Sequence, residues 1–215
     1  MASKIVFALL GAYLLGSIPT AYIVGRVRKK TDIRQIGSHN MGAMNTFYQV
    51  GFAWGMIVLV VDILKGMAAM AIAKALGLAS LSFWGISGFF YLFSGIVAVL
   101  GHGYPVWLQF KGGKGGATAI GVLAFLMWPW SVPMYAGLFF LLFLFTRAPT
   151  ISYSLAFFGY PFLSWYVYHR WDWIVFSVIL CLVPLIKYIP RIKEMRAAAG
   201  SWGRVLKRNS VKERF

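Results

Sequence analysis

Residues 117–145 read ATAIGVLAFLMWPWSVPMYAGLFFLLFLF. No charge interrupts this run, and it is long for a single membrane-spanning helix, which needs about 20 apolar residues. Pro129 and Pro133 sit in its middle, where each removes a backbone donor and forces a kink or a break. The run is therefore one kinked helix or two short ones, 117–128 and 132–145. The two readings send the end of the chain to opposite sides of a membrane.

Five further apolar runs, 5–24, 52–76, 81–100, 151–168 and 171–189, make the membrane the relevant solvent. Of the 215 residues 60% are hydrophobic and 12% charged, against about 45–50% apolar and about 25% charged in soluble domains. Such apolar content excludes disorder, and the single Cys181 excludes a disulfide scaffold. The first run has only Lys4 before it and the cluster Arg26, Arg28, Lys29, Lys30 behind it. A cleavable signal has the opposite order, so the run reads as an uncleaved span whose amino end lies outside.

Charge decides between the two readings of 117–145. With two short helices there are seven spans, and segments 26–51, 101–116, 146–150 and 187–215 share one side. They hold 5, 2, 1 and 9 Lys and Arg, which is 17 of the 21 in the chain. One helix would carry the nine-charge tail across the membrane, against the positive-inside bias. The expected fold is an all-α integral membrane protein with seven transmembrane helices, two of them short. The N-terminus is outside and the C-terminus cytoplasmic. Residues 1–215 form a single transmembrane domain with a basic cytoplasmic tail at about 190–215.

Polar residues at membrane depth are costly, so they are the informative ones. Three clusters converge on the cytoplasmic side. Gly37-Ser38-His39-Asn40-Met41-Gly42-Ala43-Met44-Asn45 combines small residues with hydroxyl and amide groups; an ordinary loop that caps the next helix is the alternative. Phe110-Lys111-Gly112-Gly113-Lys114-Gly115-Gly116-Ala117-Thr118 places four glycines around a lysine just before a helix. That combination suits an anion, most naturally phosphate, although a basic hairpin on anionic lipid is the competing reading. It is neither a P-loop nor a dinucleotide fingerprint. Asp62 and Lys65 share one helical face, as a structural ion pair or as part of a site.

Other chemistries find no support. Gly85-Ile86-Ser87-Gly88 fails as a nucleophile elbow at its last position. No His is followed five residues later by Asp, as in the soluble-type acyl-CoA acyltransferases. Three His, five carboxylates and one Cys are scattered, so no metal site and no cofactor is expected. His169 beside Arg170 and Trp171 reads as an interfacial anchor. The net charge of +16 is explained by topology and anionic membrane lipids, not nucleic acid.

The three clusters, with Gly101-His102, Val61-Asp62-Ile63-Leu64-Lys65-Gly66 and the opening Leu15-Gly16-Ser17-Ile18-Pro19, resemble the bacterial acyl-phosphate-dependent glycerol-3-phosphate acyltransferases, the PlsY family. The resemblance covers about the first 120 residues in matching order. It implies a cell inner membrane enzyme with a cytoplasmic active face, using acyl phosphate and glycerol 3-phosphate to make lysophosphatidic acid and phosphate. It places the catalytic set at Ser38, His39, Asn40, Asn45, His102 and Lys114. Substrate contacts would come from Gly37, Gly42, Asp62, Lys65, Lys111, Gly112, Gly113, Gly115 and Thr118, with backbone N–H groups of Gly112 and Gly113 on the donor's phosphate. An acyl phosphate is already activated and its leaving phosphate can take the proton, so positioning and charge stabilisation suffice. If a base is used, His39 and His102 are placed for it.

The chain departs from the family pattern at Tyr48, where an Arg is usual, and at Tyr188-Ile189-Pro190-Arg191-Ile192, which lacks the usual His and Asn. Arg34 or the tail cations are the candidate substitutes. A relative that acylates another acceptor, and a non-enzymatic anion- or lipid-binding membrane protein, are the alternatives. The sequence leaves the oligomeric state open, and a monomer is compatible with it.

Overall fold

A computed structural model describes residues 1–147 and 149–201. Helices dominate because in hydrocarbon every backbone donor and acceptor must be satisfied within its own segment. In chain order they are α1 (Ala2–Gly16), α2 (Thr20–Lys29), α3 (Ala43–Gln49), α4 (Phe52–Ala75), α5 (Phe89–Gly103), α6 (Gly116–Leu126), α7 (Ser131–Thr146), α8 (Pro149–Ala156), α9 (Gly159–Tyr166) and α10 (Trp171–Ala199). Four stretches are long and apolar enough to cross a membrane: Ala2–Lys29, Phe52–Ala75, Phe89–Leu108 and Trp171–Pro190; α6 and α7 are shorter apolar helices.

The 117–145 run divides at Pro129 into α6 and α7, as the charge count asks, while Pro133 falls in the first turn of α7, where its missing N–H costs no helical bond. Elsewhere hydropathy misplaces boundaries. The third run begins its helix at Phe89 and not at residue 81. Residues 82–87 form a small hairpin, β1 (Ser82–Phe83) against β2 (Ile86–Ser87), turned at Trp84 and Gly85. Both turn residues have positive φ, 50° and 74°, the geometry of a tight hairpin turn whose twist matches its strands. Its aromatic content imitates a span by composition alone. The 151–168 run is two eight-residue helices, α8 and α9, and the first run breaks at Ser17–Pro19. The last helix continues through Pro184 and Pro190 to Ala199; of the expected basic tail, residues 202–215 lie outside the described residues.

Two helix crossings organise the bundle, and glycine makes both close. A Cβ on Gly66 of α4 would overlap the Thr118 carbonyl of α6, and one on Gly121 of α6 would overlap the Ile63 carbonyl of α4. Gly16 of α1 lies in the same way on the Ala98 carbonyl of α5, and Gly101 of α5 on the Tyr13 carbonyl of α1. Lipid offers no hydrophobic drive between helices, so such close backbone approach is what holds them together. Around a buried apolar core, large hydrophobic side chains also face outward and several polar ones lie inside. Phe7, Val60, Phe140, Leu144 and Ile186 are exposed, while Ser17, Asn45, Asp62, Lys65, His102 and Thr118 are buried.

Candidate active site

The first rod breaks at Ser17–Pro19, where the Ile18 carbonyl accepts the Thr20 N–H at 3.0 Å. Lys65 of α4 joins it there, its Nζ donating to Ile18 O at 3.1 Å and pairing with Asp62 Oδ1 at 2.9 Å. The Thr20 hydroxyl donates to the same carboxylate oxygen at 3.3 Å. Both charges are buried, and each is met by the other and by a further polar group. Asp62 stands where this buried network meets open space, and His102 of α5 stands opposite, its Nδ1 3.7 Å from Asp62 Oδ1, beyond hydrogen-bond reach.

The loop before α3 is shaped from within by Asn45, which is fully buried. Its Nδ2 donates to the carbonyls of Ile33, Ile36 and Asn40 at 2.8, 3.0 and 3.1 Å, and its Oδ1 accepts the Ser38 N–H at 2.9 Å. Four bonds from one amide wind residues 33–45 into a knot that leaves Ser38 and Asn40 facing outward. Gly37 has positive φ, and a side chain there would strike Asn45 and Gln49. His39, also at positive φ, is exposed, with Nδ1 3.1 Å from Arg34 O.

The glycine-rich loop corrects one expectation. The N–H groups of Gly112 and Gly113 are already used, donating to Gly103 O and His102 O at 3.2 and 3.1 Å. They tie the loop to the carbonyl end of α5, where helical partners run out. Glycine is needed at both positions for space: a side chain on Gly112 would enter Pro105 and the His102 carbonyl, and one on Gly113 would enter the His102 ring and the Met41 carbonyl. The donors that face outward come one turn later. Gly115, at φ 89°, swings the chain into α6, whose first internal bond is Ala119 N–H to Gly115 O at 2.9 Å. Gly116, Ala117 and Thr118 thus precede the helix's own hydrogen bonding.

These elements enclose two neighbouring cavities. The larger, about 620 Å³, has Ser38, Asn40, Asp62, His102, Lys114 and Gly115 at one end and is otherwise lined by apolar and aromatic residues of α4, α6, α7, α8 and α9. The smaller, about 180 Å³, is lined by Ser38, His39, Asn40, Gly112, Gly113, Lys114, Lys187, Pro190 and Glu194. Ser38, Asn40 and Lys114 belong to both. The segments before α3 and before α6, expected to converge, do so.

Not every expected residue reaches the space. Gly42 lines the larger cavity, but Gly37, Asn45, Lys65 and Thr118 lie behind the walls of both. Lys111 is exposed, and only its carbonyl takes part, accepting Arg34 Nη1 at 3.2 Å. Arg34 is no substitute cation either, because Asp32 forks its guanidinium. Sequence reasoning missed Tyr135, Tyr153 and Tyr160 in the wall of the larger cavity, and Lys187 in the smaller. Lys187 belongs to the nine-charge segment 187–215, whose cations are candidate substitutes in the acceptor site, but nothing in the sequence singles it out from the other eight.

Comparison with known proteins agrees with this picture. Residues 6–198 match the family described as glycerol-3-phosphate acyltransferase. Glycerol-3-phosphate acyltransferase 2 of Dehalococcoides mccartyi strain CBDB1 is 45% identical over 213 residues, 98% of this chain and 97% of the relative. An enzyme of the same name from Moorella thermoacetica is 34% identical over 200 residues, 88% of this chain and 93% of its own. Among solved structures, PlsY (YgiH), an integral membrane glycerol 3-phosphate acyltransferase in its glycerol 3-phosphate form, superposes with a TM-score of 0.78 at 29% identity, over 91% of this chain and 92% of that one.

Proposed function

The chain belongs to the glycerol-3-phosphate acyltransferase family, and we propose that this membrane acyltransferase takes its acyl group from acyl phosphate. The 1-hydroxyl of glycerol 3-phosphate attacks the acyl carbonyl carbon, the bond to the phosphate oxygen breaks, and the departing phosphate carries off the hydroxyl proton. Lysophosphatidic acid and inorganic phosphate are the products. No cofactor or metal enters this balance.

The observation that carries the proposal is the pair of neighbouring cavities that share Ser38, Asn40 and Lys114 in their walls. A chamber that is polar at one end and apolar along the rest suits a phosphate attached to a fatty chain. In it the donor's phosphate lies at the start of α6, on the N–H groups of Gly116 and Ala117 and on Lys114, where the helix dipole adds to the attraction. The chain runs past Ile120, Ala124, Val132 and Phe139. The small polar chamber holds the acceptor and delivers its hydroxyl at the junction, so proximity and preorganised charge do the work.

Within this site Ser38, Asn40, Gly42, Asp62, His102, Lys114 and Gly115 meet the substrates, and His39 borders the acceptor. Gly37, Asn45, Lys65, Lys111, Gly112, Gly113 and Thr118 act by shaping the walls. The whole chain, 1–215, is one transmembrane domain with seven spans, its N-terminus outside and its C-terminus and active face cytoplasmic, in the inner membrane of a bacterium. The segments 26–51, 101–116 and the end of α10 meet around the small cavity, and together they hold most of the Lys and Arg, as the positive-inside bias asks of a cytoplasmic face.

Purified protein given acyl phosphate and glycerol 3-phosphate is expected to form lysophosphatidic acid and phosphate in equal amounts. Equal or better turnover with an acyl thioester, and none with acyl phosphate, would overturn the choice of donor.

A further inference from the structure

We propose that Lys187 is an acceptor-binding residue, and that with Lys114 it holds the phosphate of a phosphorylated polyol in the small cavity. This rests on the reading of that cavity as the acceptor chamber. A phosphate monoester is close to a dianion at neutral pH, and a half-enclosed chamber needs cations to offset its desolvation. Lys114 and Lys187 are the cations that line this one among the described residues. Arg34 is held by Asp32 and by the Leu108 and Lys111 carbonyls.

Lys187 is built into the site from α10. One of its three donors goes to the Gly103 carbonyl, which also accepts the Gly112 N–H. Its ammonium lies 4.1 Å from the centre of the Tyr104 ring. The next residue, Tyr188, places its ring 3.8 Å from Lys114 Nζ. One helix edge therefore fixes both ammonium groups, each over an aromatic face. The remaining donors of Lys187 are directed by that anchorage and not by a flexible stem, so little rotamer freedom is lost on binding. Glu194, seven residues further along α10, lines the same chamber. A cationic end and a carboxylate end together suit a ligand that carries a phosphate at one end and hydroxyl donors at the other.

The test compares wild-type protein with Lys187→Met, which keeps the stem, and Lys187→Arg, which keeps the charge. Lys187→Met is expected to raise KM for glycerol 3-phosphate about 10- to 100-fold, the range for losing charge-assisted hydrogen bonds. KM for acyl phosphate should stay within about twofold, and Lys187→Arg should recover part of the loss. Inorganic phosphate should inhibit Lys187→Met correspondingly less in competition with glycerol 3-phosphate. If Lys187→Met is too slow to assay, glycerol 3-phosphate should raise the melting temperature of wild-type protein and not of the variant, while a non-reactive acyl phosphate analogue raises both. An unchanged KM for glycerol 3-phosphate, or a parallel loss of affinity for both substrates, would overturn the assignment. Wild-type protein that fails to acylate glycerol 3-phosphate at all would sink the underlying function instead, and the two failures are distinct.

Discussion

Arg34 donates to the backbone carbonyl of Lys111, 77 positions away in sequence, at 3.2 Å, while its Nη2 and Nε are gripped by Asp32 at 2.7 and 3.0 Å. The guanidinium is thus a latch between the loop that presents Ser38 and the loop that presents Lys114. Its planar fork fits a carboxylate on one edge and carbonyls on the other, which an ammonium cannot reproduce. Arg34→Lys should therefore lose nearly as much as Arg34→Ala, about 1–3 kcal/mol of stability. Turnover should fall further than stability, because the two halves of the site lose their spacing. Melting curves and kinetics on the same preparations check this; full activity in Arg34→Ala would remove the latch from the mechanism.

The same pair sets an acid limit. Hydrogen bonds from Arg34 hold the Asp32 carboxyl below its ordinary value of 3.8. A carboxyl lowered on folding stabilises the protein above its unfolded value, and that contribution is lost as pH falls through the folded value. The latch is therefore complete at neutral pH, begins to weaken as pH drops through about 4, and is gone below the folded value. Asp32→Asn should melt lower than wild type at pH 7 and converge with it in strong acid. Parallel curves at all pH values would show that Asp32 does not titrate with the latch.

Asn45 offers a sharper structural test. Removing its amide takes their partner from the buried Ile33 carbonyl and the Ser38 N–H, while the Ile36 and Asn40 carbonyls keep the His39 and Gly42 N–H groups; each orphaned group costs about 1–3 kcal/mol. Asn45→Asp keeps the volume yet sets a carboxylate oxygen against those same carbonyls, so it should be at least as damaging as Asn45→Ala. Both variants should lose activity through the loop, with KM for both substrates raised. A variant that melts like wild type would contradict the bonding described.

Much of this was legible in the chain. The positions of Pro129 and Pro133, weighed against 17 cations, were enough to split the 117–145 run, because helix breaking and charge placement are local and additive. Ser38, Asn40, His102 and Lys114 were legible because polar groups at membrane depth need a reason to be there. Hydropathy failed at residues 81–88, where Phe83, Trp84 and Ile86 carry the same apolar weight in a hairpin as in a helix. The burial of Asn45 was illegible for a different reason, since nothing in Asn45 itself distinguishes an amide aimed at a ligand from one aimed at its own backbone. Lys187 needed the fold, because the partner that gives it a role, Gly103, lies 84 positions earlier.

Gly113 separates the two meanings of a glycine run, freedom of backbone and lack of volume. Its side-chain position is filled by the His102 ring and the Met41 carbonyl. Gly113→Ala should thus displace His102 and abolish most turnover while the helices still insert. Gly77→Ala tests the opposite property: nothing lies within 4 Å of its missing Cβ, but φ is 83°, so about 1 kcal/mol of strain is expected with activity retained. Activity assays on membrane preparations with matched protein levels distinguish the two cases.

The buried Asp62–Lys65 pair predicts non-additivity. Lys65→Met alone leaves the buried Asp62 carboxylate without its cation and with the Thr20 hydroxyl as its remaining hydrogen-bond donor, at an expected cost of about 3–5 kcal/mol. Adding Asp62→Asn should recover much of that loss, since no uncompensated charge remains. Stability and turnover should then part company: Asp62 lines the larger cavity and Lys65 does not, so the double variant regains its melting temperature but not its rate. Recovery of both would assign Asp62 a purely structural role.

Ala124 measures the depth of the apolar chamber. It lies on α6 eight residues beyond Gly116, about 12 Å along the helix axis, and its small side chain leaves room for a ligand there. Ala124→Phe should block the chamber below that level while leaving the phosphate end intact. Each methylene excluded forfeits about 0.8 kcal/mol, so a donor longer by four carbons than the shortened chamber should lose about 3 kcal/mol in kcat/KM, roughly a hundredfold. Ala136→Phe, on the facing helix α7, should shift the preference in the same direction with less risk of overpacking, since Ala136 is only half-buried. Kinetics with acyl phosphates of graded length check both variants. A uniform loss across all lengths would mean that the chain lies elsewhere, because only a groove closed at one depth discriminates long donors from short ones.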